Sequence, residues 1–280
     1  MEEALEESIV GERLTGAGLE PARVRDLTRK PDVKTIRVTA AGLREDQRGS
    51  SFLLSFMLVA LLYTSLAIWG AAIMNGVIEE KTNRVVEVMA SSVAATELFA
   101  GKLLGVGAAG LTQFLAWALT LGLLSVYGAA GAVAGGAPLP ELSLTALAWF
   151  VLLFLLGYFM YGTLYASIGA AVNTAQEAQS LAFPVMMPLM TAFVFAPQVI
   201  SNPESPLSVV LSLIPPLTPL LLFLRINTIM PPAWQLALAV ALCLGAIVLL
   251  NWAAARIYRV GILMYGKKPT LPEILRWIRA

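Results

Sequence analysis

The side chains of this sequence that could do ionic chemistry are gathered in one place. Only 11 charged residues lie between positions 51 and 255, and six of them, Glu79, Glu80, Lys81, Arg84, Glu87 and Glu97, fall in one short stretch. Both signs at that density offer salt bridges and hydrogen bonds to another protein. They do not offer catalysis. The chain has no histidine, which removes imidazole acid/base work, histidine-bound zinc and histidine haem ligation. Its single cysteine, Cys243, lies inside an apolar run and is expected to pack as a small hydrophobe. No residue is assigned a catalytic or a metal-binding role. The net charge of +1 gives no electrostatic case for nucleic acid.

The elements that position this cluster follow from composition. The 280 residues are 58% hydrophobic and 13% charged, with a mean hydropathy of +0.76, against about 25% charged residues in ordinary soluble domains. An all-α polytopic membrane protein is predicted. A span needs about 20 apolar residues to cross roughly 30 Å of hydrocarbon. Five stretches qualify, at about 52–76, 98–127, 142–172, 180–199 and 234–255. Lys102 near the second start is expected to snorkel, and Pro184, Pro188 and Pro197 to interrupt the fourth. The stretch 207–224 is apolar but cut by Pro215, Pro216 and Pro219. Its pieces are too short to cross, and the bilayer tolerates broken backbone only where protein or water covers it. A re-entrant pair of half-helices is predicted there.

Loop charge sets the orientation. The 77–97 loop and the basic tail belong in the cytoplasm, whereas the 128–141 and 200–206 loops have no Lys or Arg and belong outside. Five crossings satisfy this and six do not. Residues 1–50 hold 10 acidic and nine basic side chains and form a short polar segment, with strand-like alternation over 33–39 and a possible acidic helix over 2–14. Residues 51–258 are the membrane domain. Residues 259–280 form a basic tail in which Thr270 and Glu273 suggest a helix start, and an amphipathic helix on the anionic inner leaflet is expected.

Within the loop, Glu80 and Arg84 stand four apart as in a helical ion pair. Val85, Val88, Met89 and Ser92 follow one helical face. An amphipathic cytoplasmic helix over 79–92 is predicted, with its charged face available to a cytosolic protein; an interfacial anchor without a partner is the alternative. Gln113 and Tyr161 are candidates for a translocation pathway, although an amide also glues helices together and Tyr158, Tyr161 and Tyr165 on one face also suit packing. Asn173, Gln176 and Glu177 form a second polar cytoplasmic turn, while Arg225 and Asn227 are expected at the outer headgroups. Gly101 with Gly105, and Gly162, Ala166, Gly169 and Ala170, read as close-packing strips within the subunit, with a dimer seam as the alternative.

The string Val77-Ile78-Glu79-Glu80-Lys81-Thr82-Asn83-Arg84-Val85-Val86-Glu87-Val88, then Ser91-Ser92 and Gly101-Lys102-Leu103-Leu104-Gly105, resembles membrane subunits of bacterial ABC exporters of the type-2 class. It is especially similar to sodium-efflux-type permeases. The tail from Arg256 to Pro269 resembles their C-terminal segment, and Ala95 stands where these permeases often have proline. The resemblance implies six spans with a large extracytoplasmic domain after the first. On that expectation this chain lacks the first span, and residues 1–50 are the remnant of that domain. It also implies that Glu79, Glu80, Lys81, Thr82, Asn83, Arg84 and Glu87 contact a cytosolic ABC ATPase subunit. ATP and magnesium would then sit on that partner, with a second permease subunit completing a homo- or heterodimer in the bacterial plasma (inner) membrane. No cofactor is expected in this chain: a phosphate-binding loop needs a glycine five residues before its Gly-Lys pair and a hydroxyl after it, and Gly101-Lys102 has Thr96 and Leu103 there. A non-transporting scaffold or sensor, or an intramembrane enzyme, are the rival readings. The cargo stays open among sodium, drugs, lipids and peptides.

Overall fold

The computed structural model describes residues 36–39, 42–45, 48–133, 144–264, 272–273 and 276–277. The chain divides into two units, residues 1–48 and 49–280. In the first, β1 (Ile36–Thr39) pairs antiparallel with β2 (Gly42–Glu45), Val38 opposite Leu43. This strand falls inside the alternating run. The expected helix at 2–14, the 134–141 part of the outer loop and the helix start at Thr270 lie outside the described residues.

The second unit is helical: α1 (Arg48–Thr82), α2 (Val85–Ala90), α3 (Ala95–Val133), α4 (Leu144–Ala171), α5 (Ala175–Ser201), α6 (Pro206–Leu213), α7 (Thr218–Thr228) and α8 (Ala233–Gly261). Five of them, α1, α3, α4, α5 and α8, are long and apolar enough to span a bilayer. The helix α3 continues through residues 128–133, which were expected to be loop. Pro184, Pro188 and Pro197 do not interrupt α5. Each removes one amide from the helical ladder, facing the carbonyls of Ser180, Pro184 and Phe193, and the neighbouring turns carry the helix through.

The prolines of 206–219 act differently because they sit at helix starts. Pro206 opens α6 and Pro219 the first turn of α7, where a missing amide is tolerated. At about 12 Å and 17 Å by helical rise, neither helix can cross. The turn between them reaches deep into the bundle: Tyr161 Oη donates to Pro216 O at 2.6 Å, and Cys243 Sγ lies 3.9 Å from Pro215 O. Both partners are interior positions of long helices. The re-entrant pair is present, and α7 is buried on every side from Thr218 to Ile226.

Two corrections follow, one for polar groups at this end of the bundle and one for a pair of glycines on its face. Arg225 is not at the headgroups: it is 2% exposed. Its Nε donates to Pro203 O at 2.9 Å, Nη1 to Ser212 Oγ at 2.8 Å and Nη2 to Gln235 Oε1 at 2.6 Å. One guanidinium thus ties the loop before α6, α6 itself, α7 and the start of α8. Asn227 is half-buried and bonds back to Phe223 O at 3.0 Å. Gly101 and Gly105 are not internal contacts, for a Cβ added at either would meet nothing within 4 Å. Gly162 and Gly169 are, the first against Ile73 and Leu103 and the second against Met74.

Arg225→Met should leave buried oxygens without a donor and destabilise the fold by on the order of 3 kcal/mol. Because Cys243 is the chain's only cysteine and is buried, thermal unfolding followed by its alkylation in detergent reads the loss directly. An unchanged midpoint would refute the clip.

Candidate functional site

The helix α1 carries a buried stripe, Met74, Val77 and Ile78, down its last turns. One turn further the same stripe delivers Lys81, 2% exposed. Its ammonium has three donors, and each meets a backbone carbonyl: Ala170 O at 2.9 Å, Val172 O at 3.0 Å and Gly261 O at 2.8 Å. These belong to the C-terminal ends of α4 and α8, where carbonyls lack helical partners and the helix dipole is negative. Glu177, at the start of α5, adds its charge to the same site. Close backbone approach makes the geometry possible. A Cβ at Gly169 would sit 2.7 Å from Met74 O, and one at Gly261 2.8 Å from Ala170 O.

Beyond Lys81, α1 stops. Thr82 Oγ1 bonds back to Ile78 O at 2.8 Å, and Arg84 takes a left-handed conformation, φ 56°. That costs a non-glycine residue roughly 1–2 kcal/mol and turns the chain into α2. The predicted Glu80–Arg84 helical pair therefore does not form. Instead Glu80 Oε2 meets Lys102 Nζ at 2.5 Å, joining the end of α1 to the start of α3; Lys102 does not snorkel. At the other side of the loop, Ala94 N donates to Glu97 Oε2 at 3.1 Å and starts α3.

Between these joints α2 stands out from the bundle. Val86 points inward at 1% exposure, whereas Val88 is 73% and Val85 43% exposed, with Met89 beside them. Arg84 and Glu87 are exposed around this apolar knob, as are Glu79, Thr82 and Asn83. The outward surface of the loop is thus apolar at its centre and charged at its rim, a reversal of the expected charged face. The second turn lies at the same end of the bundle, because Lys81 bonds to Val172. There Thr174 Oγ1 accepts from Glu177 N at 3.3 Å and Glu177 Oε2 from Asn173 N at 3.4 Å, while Gln176 is exposed.

The two pathway candidates sit on different helices, α3 and α4. Tyr161 is 1% exposed with its hydroxyl committed to Pro216; it packs the re-entrant tip and is no pathway lining in this structure. Gln113 is half-buried on α3, and its amide makes no hydrogen bond among the described residues.

A family model, ABC-2 family transporter protein, matches residues 15–256. The chain belongs to the ABC-2 transporter family. Among its relatives is the uncharacterized protein YhaP of Bacillus subtilis strain 168, 32% identical over 239 residues, which cover 84% of this chain and 57% of YhaP. Another is the uncharacterized protein MJ1024 of Methanocaldococcus jannaschii, 26% identical over 229 residues, covering 81% of this chain and 54% of that protein. The ABC-2 chain spans a little over half the length of these curated relatives. No solved structure gives a significant match.

Membership in the ABC-2 family agrees with the sequence motif around Glu80. The motif alone did not separate its inward from its outward members. In this ABC-2 chain Val77, Ile78, Lys81, Val86 and Leu103 face in, Glu80 and Lys102 clasp each other, and Glu79, Thr82, Asn83, Arg84, Val85, Glu87 and Val88 face out. As a partly exposed pair, Glu80–Lys102 should contribute about 0.5–1 kcal/mol. A double-mutant cycle of Glu80→Gln and Lys102→Met on thermal stability should return a coupling of that size. A coupling of zero would mean that the joint holds nothing.

Proposed function

We propose that this chain is the permease subunit of an ATP-driven exporter, which forms the translocation pathway and receives mechanical work from a separate cytosolic ATPase. The observation that carries the reading is α2: an exposed Val85–Val88–Met89 knob with a charged rim, set between two span ends joined by Glu80 and Lys102. Burying such a knob in a cleft of a partner supplies affinity, and the rim of Arg84, Glu87, Glu79 and Asn83 supplies register. The exposed turn at Gln176 offers a second point of contact. The basic residues around this end favour the cytoplasmic side of the plasma (inner) membrane.

Two permease subunits, identical or not, would work with two ATPases that bind ATP and magnesium. Closure of the ATPases on nucleotide presses on α2 and changes the tilt of α1 and α3. The membrane domain is thereby shifted between inward- and outward-facing arrangements, the energy difference coming from contacts made on the partner.

Val88→Asp with Met89→Asp tests this. Both side chains are exposed, so the fold should tolerate the change, while co-purification with the ATPase and ATP-dependent transport should fall at least about tenfold, the loss of one 1.4 kcal/mol contact. Unchanged co-purification would refute the docking role of α2. Retained ATPase binding with no transport in the unaltered chain would favour a scaffold.

A further inference from the structure

Lys81 was expected among the residues that touch the partner, and it cannot touch one. It is buried inside the chain at the last turn of α1, three residues before the left-handed Arg84 that launches α2. Each of its three N–H groups is engaged by the terminal carbonyls of α4 and α8, and Glu177 reinforces the site from α5. We infer that Lys81 is a positioning residue for energy coupling: it pins the end of α1 to α4 and α8, so that displacement of α2 moves three helices as one body.

The physical basis is the asymmetry between the two joints at this end. The Glu80–Lys102 joint is a single contact on a carboxylate whose side chain is 34% accessible, so water can take the ammonium's place at Glu80 as the pair opens, although Lys102 Nζ is itself buried. The ammonium of Lys81 has no such substitute. Pulling it from its carbonyls strands a buried charge and three buried acceptors at once, a penalty of several kcal/mol. Under load the weaker joint opens first. The α1–α3 joint can therefore open at this end while α4 and α8 follow α1, with α3 still held to α4 by Tyr158 Oη, which donates to Leu103 O at 2.7 Å, and by Phe114 stacked on Phe154. Motion of α8 and α4 then reaches the re-entrant tip, because Cys243 on α8 contacts Pro215 and Tyr161 on α4 holds Pro216.

This rests on the permease reading, and the native thiol reports on it. Alkylation of Cys243, quantified by peptide mass spectrometry in the complex with its ATPase, should change several-fold on adding ATP with vanadate. Lys81→Met should abolish that nucleotide response while the ATPase still co-purifies, because α2 is untouched. Lys81→Arg keeps the charge but not the three-way geometry and should restore the response only in part. A merely structural role would lower the thermal midpoint and leave the response intact. A full response in Lys81→Met, or none in the unaltered complex, overturns the inference.

A partner-free measurement separates its failure from that of the permease reading. In the isolated chain in nanodiscs, Lys81→Met should raise amide hydrogen exchange at 166–171 and 257–261 and leave 85–90 unchanged. Should Lys81→Met fail to insert, Gly261→Ala, whose new Cβ would press on Ala170 O, should raise exchange over the same two segments. Unaltered exchange there refutes the pin whatever the ATPase does.

Discussion

An ammonium group enclosed by protein is unstable unless every one of its donors is matched, and the α2 end of this bundle is arranged around one. Lys81 meets that demand with backbone carbonyls from two helix termini, groups that also need donors and carry the negative ends of two helix dipoles. The requirement is mutual, so neither side can be relieved alone. It dictates that α1, α4 and α8 end at the same level, and that Gly169 and Gly261 leave room for backbone to touch backbone. Van der Waals packing along Leu66, Ile73, Leu153 and Tyr165 then fills the space that these ends define.

The same solution recurs at the opposite end with different chemistry. Arg225 fans its planar guanidinium over a loop carbonyl, a serine and a glutamine, and so fixes two helices too short to be held by length. Hydrocarbon gives apolar helices little reason to prefer one another over lipid. Polar joints and close steric fit have to supply the specificity, as where Thr163 of α4 lies 3.1 Å from Asn251 of α8. Among the described residues, Lys81 thus closes one end of the bundle and Arg225 the other. The middle is packed by aromatic rings, Phe114 stacking on Phe150 and Phe154.

The spans were legible because about 20 apolar residues in a row have few other fates, and the re-entrant pair because three prolines and the charge parity agreed. The fate of the cations was less accessible. The rule that basic side chains mark loops and headgroups sent Lys81 to the partner, Lys102 to the interface and Arg225 to the outer leaflet. A signal for Lys81 was present all the same: Met74, Val77, Ile78 and Lys81 follow i, i+3, i+4, i+7 and share one face. For Arg225 no local pattern exists, since its partners Pro203, Ser212 and Gln235 come from three separate elements. The inward turn of Val86 depends on the left-handed Arg84, a conformation that the residue type does not announce. Gly101 and Gly105 have the spacing of a contact but face open space, because α3 presents its other side to the bundle.

Helix α5 differs in its material properties from its neighbours. With three amides gone from one ladder, at Pro184, Pro188 and Pro197, fewer rungs resist flexure than in α4 or α8. A rod lacking rungs bends at lower energy and does so at set places. Packed along its length through Ala178, Leu189, Ala192, Ala196 and Val199, α5 can flex only where its neighbours yield with it, at the turns that its three prolines soften.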